Sequence, residues 1–131
     1  VCFTSFDPRL GKTPGLRAAE FCREACLGAL GAAGLTLDDV ALYVGYQTLG
    51  WVVDACRRAL GLPPEKTIDT FAEVGNLGAS VLPFNLERAH RSKRLRDGDI
   101  VLLYSPAAGF TRAATVYRWL APGGAGGERG P

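Results

Sequence analysis

Two short runs in this chain carry no polar break: Val40-Ala41-Leu42-Tyr43-Val44-Gly45 and Ile100-Val101-Leu102-Leu103-Tyr104. A strand with one wet face alternates apolar with polar residues, whereas an unbroken apolar run suits a strand covered on both faces, as in a parallel sheet. The stretches between such runs change period. From about Leu16 to Ala33, Leu16, Ala19, Cys22, Cys26, Leu27 and Leu30 recur at helical spacing, with Arg17, Glu20, Arg23 and Glu24 on the wet face and Gly34 as the stop. A second helix spans about Trp51 to Leu60 and ends at Gly61, just before Pro63-Pro64. Lys66 to Phe71 predicts a further short strand, and Asp99 to Tyr104 with Ala113 to Leu120 predicts two final ones. The loop Ser105 to Thr111 is short enough to join that last pair antiparallel. Alternation of this kind predicts an α/β layer with a mostly parallel sheet, an antiparallel closing hairpin and helices on both faces.

The boundaries follow. Residues 1–15 form a lead-in, with a short strand from Val1 to Phe6 and then a loop marked by Asp7-Pro8, Gly11 and Pro14-Gly15. Residues 16–121 form the folded unit, and 122–131 are a flexible glycine-rich tail. Within the unit, Leu77 to Leu86 is apolar around its whole circumference, and charge begins only at Glu87. Its first turns are expected to be buried on all sides, which one sheet cannot achieve, so another domain or subunit is expected to pack over them. Pro83 predicts a kink or a local break in hydrogen bonding. The chain starts at Val1 and contains no methionine, which reads as a fragment or a processed half.

Composition sets limits. With 131 residues, 47% hydrophobic and 21% charged, this is one ordinary globular domain. A net charge of +2 gives no reason to expect a nucleic-acid partner. No stretch approaches the roughly 20 apolar residues of a membrane span. Cys2, Cys22, Cys26 and Cys56 form no CxxC pair and have no accompanying histidines, so no metal site is expected. They read as reduced packing residues, in keeping with a cytoplasmic location.

In parallel α/β sheets, reactive groups collect at the carboxyl ends of the strands. Three turns answer to that description here: Gly45-Tyr46-Gln47-Thr48, Gly75-Asn76-Leu77-Gly78 and the hairpin loop Ser105-Pro106-Ala107-Ala108-Gly109-Phe110-Thr111. Taken alone, Tyr46 is a half-buried aromatic ending a strand, and Asn76 is either a helix N-cap, a substrate donor or both. His90 lies in the basic run Glu87 to Arg94 and reads as a surface residue on a solvated helix end. That run either complements the helix dipole or docks an acidic partner.

These turns carry a resemblance. Tyr46-Gln47-Thr48-Leu49, running on to Leu60-Gly61-Leu62-Pro63, is similar to the segment of ketoacyl synthase III enzymes that begins His-Gln-Ala-Asn and ends its helix Leu-Gly-Leu-Pro. Gly75-Asn76-Leu77-Gly78-Ala79-Ser80-Val81-Leu82-Pro83 resembles that family's Gly-Asn-Thr-Ser-Ala-Ala-Ser-Ile-Pro. Gly98-Asp99-Ile100-Val101 resembles its Gly-Asp strand, and Gly109-Phe110-Thr111 its Gly-aromatic-Thr loop. The likeness runs in order from about Leu16 to Leu120.

The resemblance implies the C-terminal half of a thiolase-like fold, whose N-terminal half, in cis or trans, supplies a nucleophilic cysteine. It implies a dimer acting on coenzyme A or phosphopantetheine thioesters, the latter borne by an acyl carrier protein, with no covalently bound cofactor and in fatty acid or polyketide biosynthesis. Alone, such a half is expected to be inactive. Asn76 stands at the family's catalytic asparagine and Tyr46 at its catalytic histidine, while Gln47, Trp51, Gly75, Ala107, Gly109 and Phe110 fall at substrate-facing positions. Trp51 replaces the carrier-facing arginine, and Ser105 to Ala108 replaces a glycine-rich stretch. Imidazole titrates at about 6.5 and a phenol at about 10, so Tyr46 cannot take over general-base work at neutral pH, although it can donate one hydrogen bond. The reading is a diverged acyltransferase, with a non-catalytic half that scaffolds a catalytic partner as the alternative.

Overall fold

The computed structural model of the protein describes residues 17–107 and 111–120. The expected N-terminal strand, Cys2, Gly109, Phe110 and the glycine-rich tail lie outside the described residues. The elements in order are α1 (Ala18–Ala32), β1 (Val40–Gly45), α2 (Val52–Leu60), β2 (Thr67–Ile68), α3 (Phe71–Val74), α4 (Val81–Arg91), β3 (Ile100–Pro106) and β4 (Arg112–Arg118). One-turn 3₁₀ segments, Pro64–Lys66 and Gly78–Ser80, precede β2 and α4. The sheet order is β2-β1-β3-β4, parallel except for the β3–β4 hairpin. The two apolar runs thus become adjacent strands, β1 at the interior of the sheet beside β3.

Both faces of that pair are covered. α1 and α2 bring Cys22, Cys26, Leu30, Val52, Val53, Cys56 and Leu60 onto Val40, Tyr43, Leu102 and Tyr104. On the other face, Leu42, Val44, Ile68 and Val101 pack with Ala89 of α4 and with Leu95. Val40 and Tyr43 share a face because β1 is bulged: the register passes from Val40↔Ile100 to Leu42↔Val101, leaving Ala41 as an extra residue. Without that extra residue, simple alternation would put Val40 with Leu42 instead.

Helix ends are closed by one device used three times. After α1, the Leu35 N–H reaches Leu30 O at 2.9 Å and the Gly34 N–H reaches Gly31 O at 3.1 Å, with Gly34 at φ 67°. After α2, Leu62 and Gly61 repeat this on Arg57 and Arg58, with Gly61 at φ 73°. After α4, Arg94 and Lys93 repeat it on Ala89 and His90, and here a lysine takes the left-handed position, at φ 57°.

Three expectations need correction. The strand predicted over Lys66 to Phe71 is only Thr67–Ile68, because the Asp69 carboxylate accepts the Phe71 N–H at 2.9 Å and turns the chain into α3. The free edge of β2 is also occupied, since the Arg94 guanidinium donates to Glu65 O and Thr67 O at 2.7 Å each. Pro83 interrupts no bond of the helix: it is the third residue of α4, where the N–H of an ordinary residue would lack a helical partner anyway. The break falls earlier, between the 3₁₀ turn and α4. Over Leu77 to Leu86 the sheet buries Val81 and Asn85, with Leu82 and Leu86 half-buried against the same core, and leaves Leu77, Ala79, Ser80 and Pro83 exposed, on the side where a further domain or subunit is expected to pack. His90 is half-buried, its ring 5.6 Å from that of Trp119, rather than on a fully solvated surface.

The thiols of Cys22, Cys26 and Cys56 are free and buried. Cys22 Sγ lies 3.8 Å from Cys26 Sγ and 3.3 Å from the Tyr43 hydroxyl. Hydrogen bonding to Cys26, with burial behind it, pushes the Cys22 thiol up to about 12. Hydrogen bonding to Cys22 and burial raise Cys56 as well. Buried to within 1% of complete, these three cysteines are expected to resist iodoacetamide at pH about 8 in the folded protein and to react fully in urea, as read by peptide mass spectrometry. A left-handed residue with a Cβ costs about 1–2 kcal/mol, and glycine's added freedom when unfolded takes back about 0.5–1. Lys93→Gly is therefore expected to raise stability by up to about 1 kcal/mol, measured as a higher urea midpoint at unchanged slope.

Candidate functional site

Because β1, β2 and β3 are parallel, their carboxyl ends emerge on one edge of the sheet. Three connections start there: Tyr46 to Trp51 after β1, Asp69 to Leu77 after β2, and the hairpin turn after β3. Tyr46 prolongs the central strand by one bond, its N–H donating to Tyr104 O at 2.9 Å. Its side chain is half-buried, and its hydroxyl has no hydrogen bond to another described residue.

Asn76 sits on a turn that needs glycine before it, Gly75 having φ 65° and ψ −146°. The Asn76 side chain is exposed, and its Oδ1 accepts the Gly78 N–H at 2.9 Å. A backbone N–H can only face the oxygen of an amide, so this bond assigns the rotamer and leaves Nδ2 with its protons turned away from the 3₁₀ turn. Asn76 therefore satisfies the turn with its oxygen and keeps a donor available.

Gln47 points inward. It is fully buried, with Nε2 donating to Gly75 O at 2.8 Å and Oε1 receiving the Thr70 N–H and Asn85 Nδ2 at 3.2 Å each. The Thr70 hydroxyl donates to Asn85 Oδ1 at 2.7 Å. Thr70 and Asn85 were not singled out from the sequence. One sign was present: Asn85 interrupts an apolar stripe at helical spacing between Val81 and Ala89, and a buried polar group must have partners. The first two loops also touch through Gly50, where a Cβ would lie 3.1 Å from the Phe71 ring.

The remaining positions are more open. Trp51 is 49% exposed at the start of α2, and Leu49 is 51% exposed beside it. Ala107 is exposed and closes the hairpin, its N–H donating to Thr111 O at 2.7 Å. The structure thus brings Tyr46, Gln47, Trp51, Gly75, Asn76 and Ala107 to one edge, with Gln47 beneath it. Much of the basic run at the end of α4 is engaged within the chain: Arg88 pairs with Glu73 at 2.7 Å, Arg91 with Glu87 at 2.6 Å, and Arg94 donates to the Glu65 and Thr67 carbonyls. Among the described residues no His, Cys, Asp and Glu group is placed to hold a metal, and no helix is long and apolar enough to cross a membrane.

This arrangement has counterparts. The family model described as 3-oxoacyl-[acyl-carrier-protein (ACP)] synthase III C terminal matches residues 30–119. The chain is 36% identical over 103 residues to the 3-oxopimeloyl-[acyl-carrier-protein] synthase of Rhodothermus marinus, covering 79% of this chain and 29% of that protein. It is 39% identical over 93 residues to the β-ketoacyl-[acyl-carrier-protein] synthase III of Roseiflexus castenholzii, covering 71% and 28%. The crystal structure of β-ketoacyl-[acyl-carrier-protein] synthase III from Thermus thermophilus superposes with a TM-score of 0.78 at 36% identity, over 92% of this chain and 36% of that one. The chain thus spans about a third of the length of the relatives it matches. Matched in sequence over most of its length and in fold over nearly all of it, the chain belongs to the 3-oxoacyl-[acyl-carrier-protein] synthase III family, as its C-terminal domain.

Proposed function

We propose that this chain is the C-terminal half of a diverged thioester acyltransferase, completed by an N-terminal thiolase-like half that supplies the nucleophilic cysteine. The observation that carries the reading is the Asn76 amide, anchored through Oδ1 to the Gly78 N–H and offering Nδ2 at the edge where three strands end. When a thiolate adds to a thioester carbonyl, the oxygen gains negative charge and the departing thiolate leaves as the carbonyl re-forms. A preoriented N–H donor stabilises that oxygen, at no cost of reorienting during the reaction. Tyr46, at the end of the central strand, donates a second hydrogen bond as a neutral phenol. It does not accept the substrate's proton, so the chemistry is acyl transfer from coenzyme A or an acyl carrier protein rather than decarboxylative condensation. The buried thiols of α1 and α2 are unsuited to the nucleophile's task, which is why the partner half provides it. The assembled enzyme is a cytoplasmic dimer, with the exposed Trp51 and Ala107 beside the path by which the thioester reaches Asn76.

The test uses the full enzyme and acyl-CoA thioesters of several lengths. Mass spectrometry is expected to show a covalent acyl adduct; its absence with every chain length rejects the reading. Asn76→Ala is expected to slow acylation about 10²-fold, and Tyr46→Phe about tenfold. Full turnover in Tyr46→Phe would instead make Tyr46 structural and favour a half that only scaffolds a catalytic partner.

A further inference from the structure

Beneath the Tyr46 and Asn76 turns runs a line of hydrogen bonds to which the reaction above gives no task. Its members are Gln47, Thr70 and Asn85, exposed to 0%, 4% and 0%. They come from three separate places: the loop after β1, the residue before α3, and the middle of α4. The direction of each bond follows from counting protons. The Thr70 hydroxyl has one, and it lies 2.7 Å from Asn85 Oδ1 against 3.3 Å from Gln47 Oε1, so it goes to Asn85. That fixes the Asn85 oxygen as acceptor and its nitrogen as donor to Gln47 Oε1 at 3.2 Å. The Thr70 N–H, also at 3.2 Å, holds the same oxygen. Gln47 must then turn its nitrogen to Gly75 O, at 2.8 Å. Neither amide can flip without setting oxygen against oxygen.

The line ends on a carbonyl that matters. Gly75 C=O and Asn76 N–H belong to one planar peptide unit, so fixing the first fixes the plane from which the Asn76 side chain departs. Gly75 holds a backbone conformation open only to glycine, one that persists where its surroundings dictate it. The turn is thus clamped twice: from below by Gln47 on Gly75 O, and from its own side by the Gly78 N–H on Asn76 Oδ1.

We propose that Gln47, Thr70 and Asn85 are positioning residues for Asn76: a one-way chain of hydrogen bonds from Thr70 through Asn85 and Gln47 to the Gly75 carbonyl sets the direction of the Asn76 donor. The inference rests on the role given to Asn76 above. Were the cluster only a set of satisfied core polar groups, its loss would cost stability and leave the chemical step unchanged. As a positioning device, it governs turnover at nearly constant substrate affinity.

The experiment uses the full enzyme and variants that reverse one link each. Gln47→Glu keeps the acceptor and the shape but sets an oxygen against Gly75 O, and Asn85→Asp does the same against Gln47 Oε1. Each is expected to lower kcat at least about tenfold with KM for acyl-CoA held within about threefold. Each is also expected to speed hydrogen exchange of the Gly78 amide at least about tenfold, while Val44 in β1 keeps its rate. Thr70→Val is expected to follow them and Thr70→Ser to restore kcat, and this pair carries the test if the carboxylate variants do not fold. Lower melting temperatures with unchanged kcat and unchanged Gly78 exchange overturn the proposal. If the unaltered enzyme transfers no acyl group, the catalytic reading of Asn76 falls by itself; faster Gly78 exchange in the variants then still sustains the clamp, and unchanged exchange overturns it.

Discussion

The position of β1 decides most of what this chain can be. It is flanked on both edges by parallel partners and covered on both faces by helices, so its side chains have little freedom to be anything but apolar. The bulge at Ala41 then assigns those side chains to two cores. Tyr43 goes to the side of α1 and α2, where its hydroxyl meets Cys22, and Leu42 and Val44 go to the side of α4. Because β2 and β3 run the same way as β1, the strand that organises the interior also delivers Tyr46 and Gln47 to the edge shared with Asn76. Burial and chemistry are thereby set by one element.

The two cores differ in how complete they are. α1 and α2 close their face with a dense cluster of aliphatic side chains and thiols. α4 closes the other with Val81, Asn85 and Ala89 fully buried and Leu82 and Leu86 only half-buried, and Pro83 with the preceding Leu77 and Ala79 is exposed. Leu49, Trp51 and Leu77 add exposed apolar surface on the loops at the edge where the parallel strands end. A sheet can only cover what faces it, and the chain spans about a third of the length of its relatives.

Much of this was legible in the sequence, for reasons that are local. The unbroken runs at Val40 and Ile100 specify buried strands by composition alone, and Gly34 and Gly61 mark helix ends because the closing turn needs a left-handed residue. The third such end is hidden, since Lys93 does the same task with nothing glycine-like to announce it. Short-range side-chain chemistry shortened β2: one carboxylate, Asp69, outweighed a run of otherwise plausible strand residues. The site divided along the same line. Tyr46 and Asn76 stand in recognisable turns, whereas Thr70 and Asn85 acquire their meaning only when residues 15 apart in sequence, and a third from the end of β1, meet in the interior. Gln47 was visible but pointed the opposite way from the one expected, toward the protein.

The fixed polarity of that interior line constrains how it can change over time. Each of its side-chain amides both gives and receives, so altering one end alone leaves the next group facing its own kind. Substitutions at these three positions are therefore tolerated together more readily than singly, and a lineage that replaced Asn85 would find Gln47 and Thr70 under immediate pressure to follow. Three residues scattered along the chain work as one hydrogen-bonded unit.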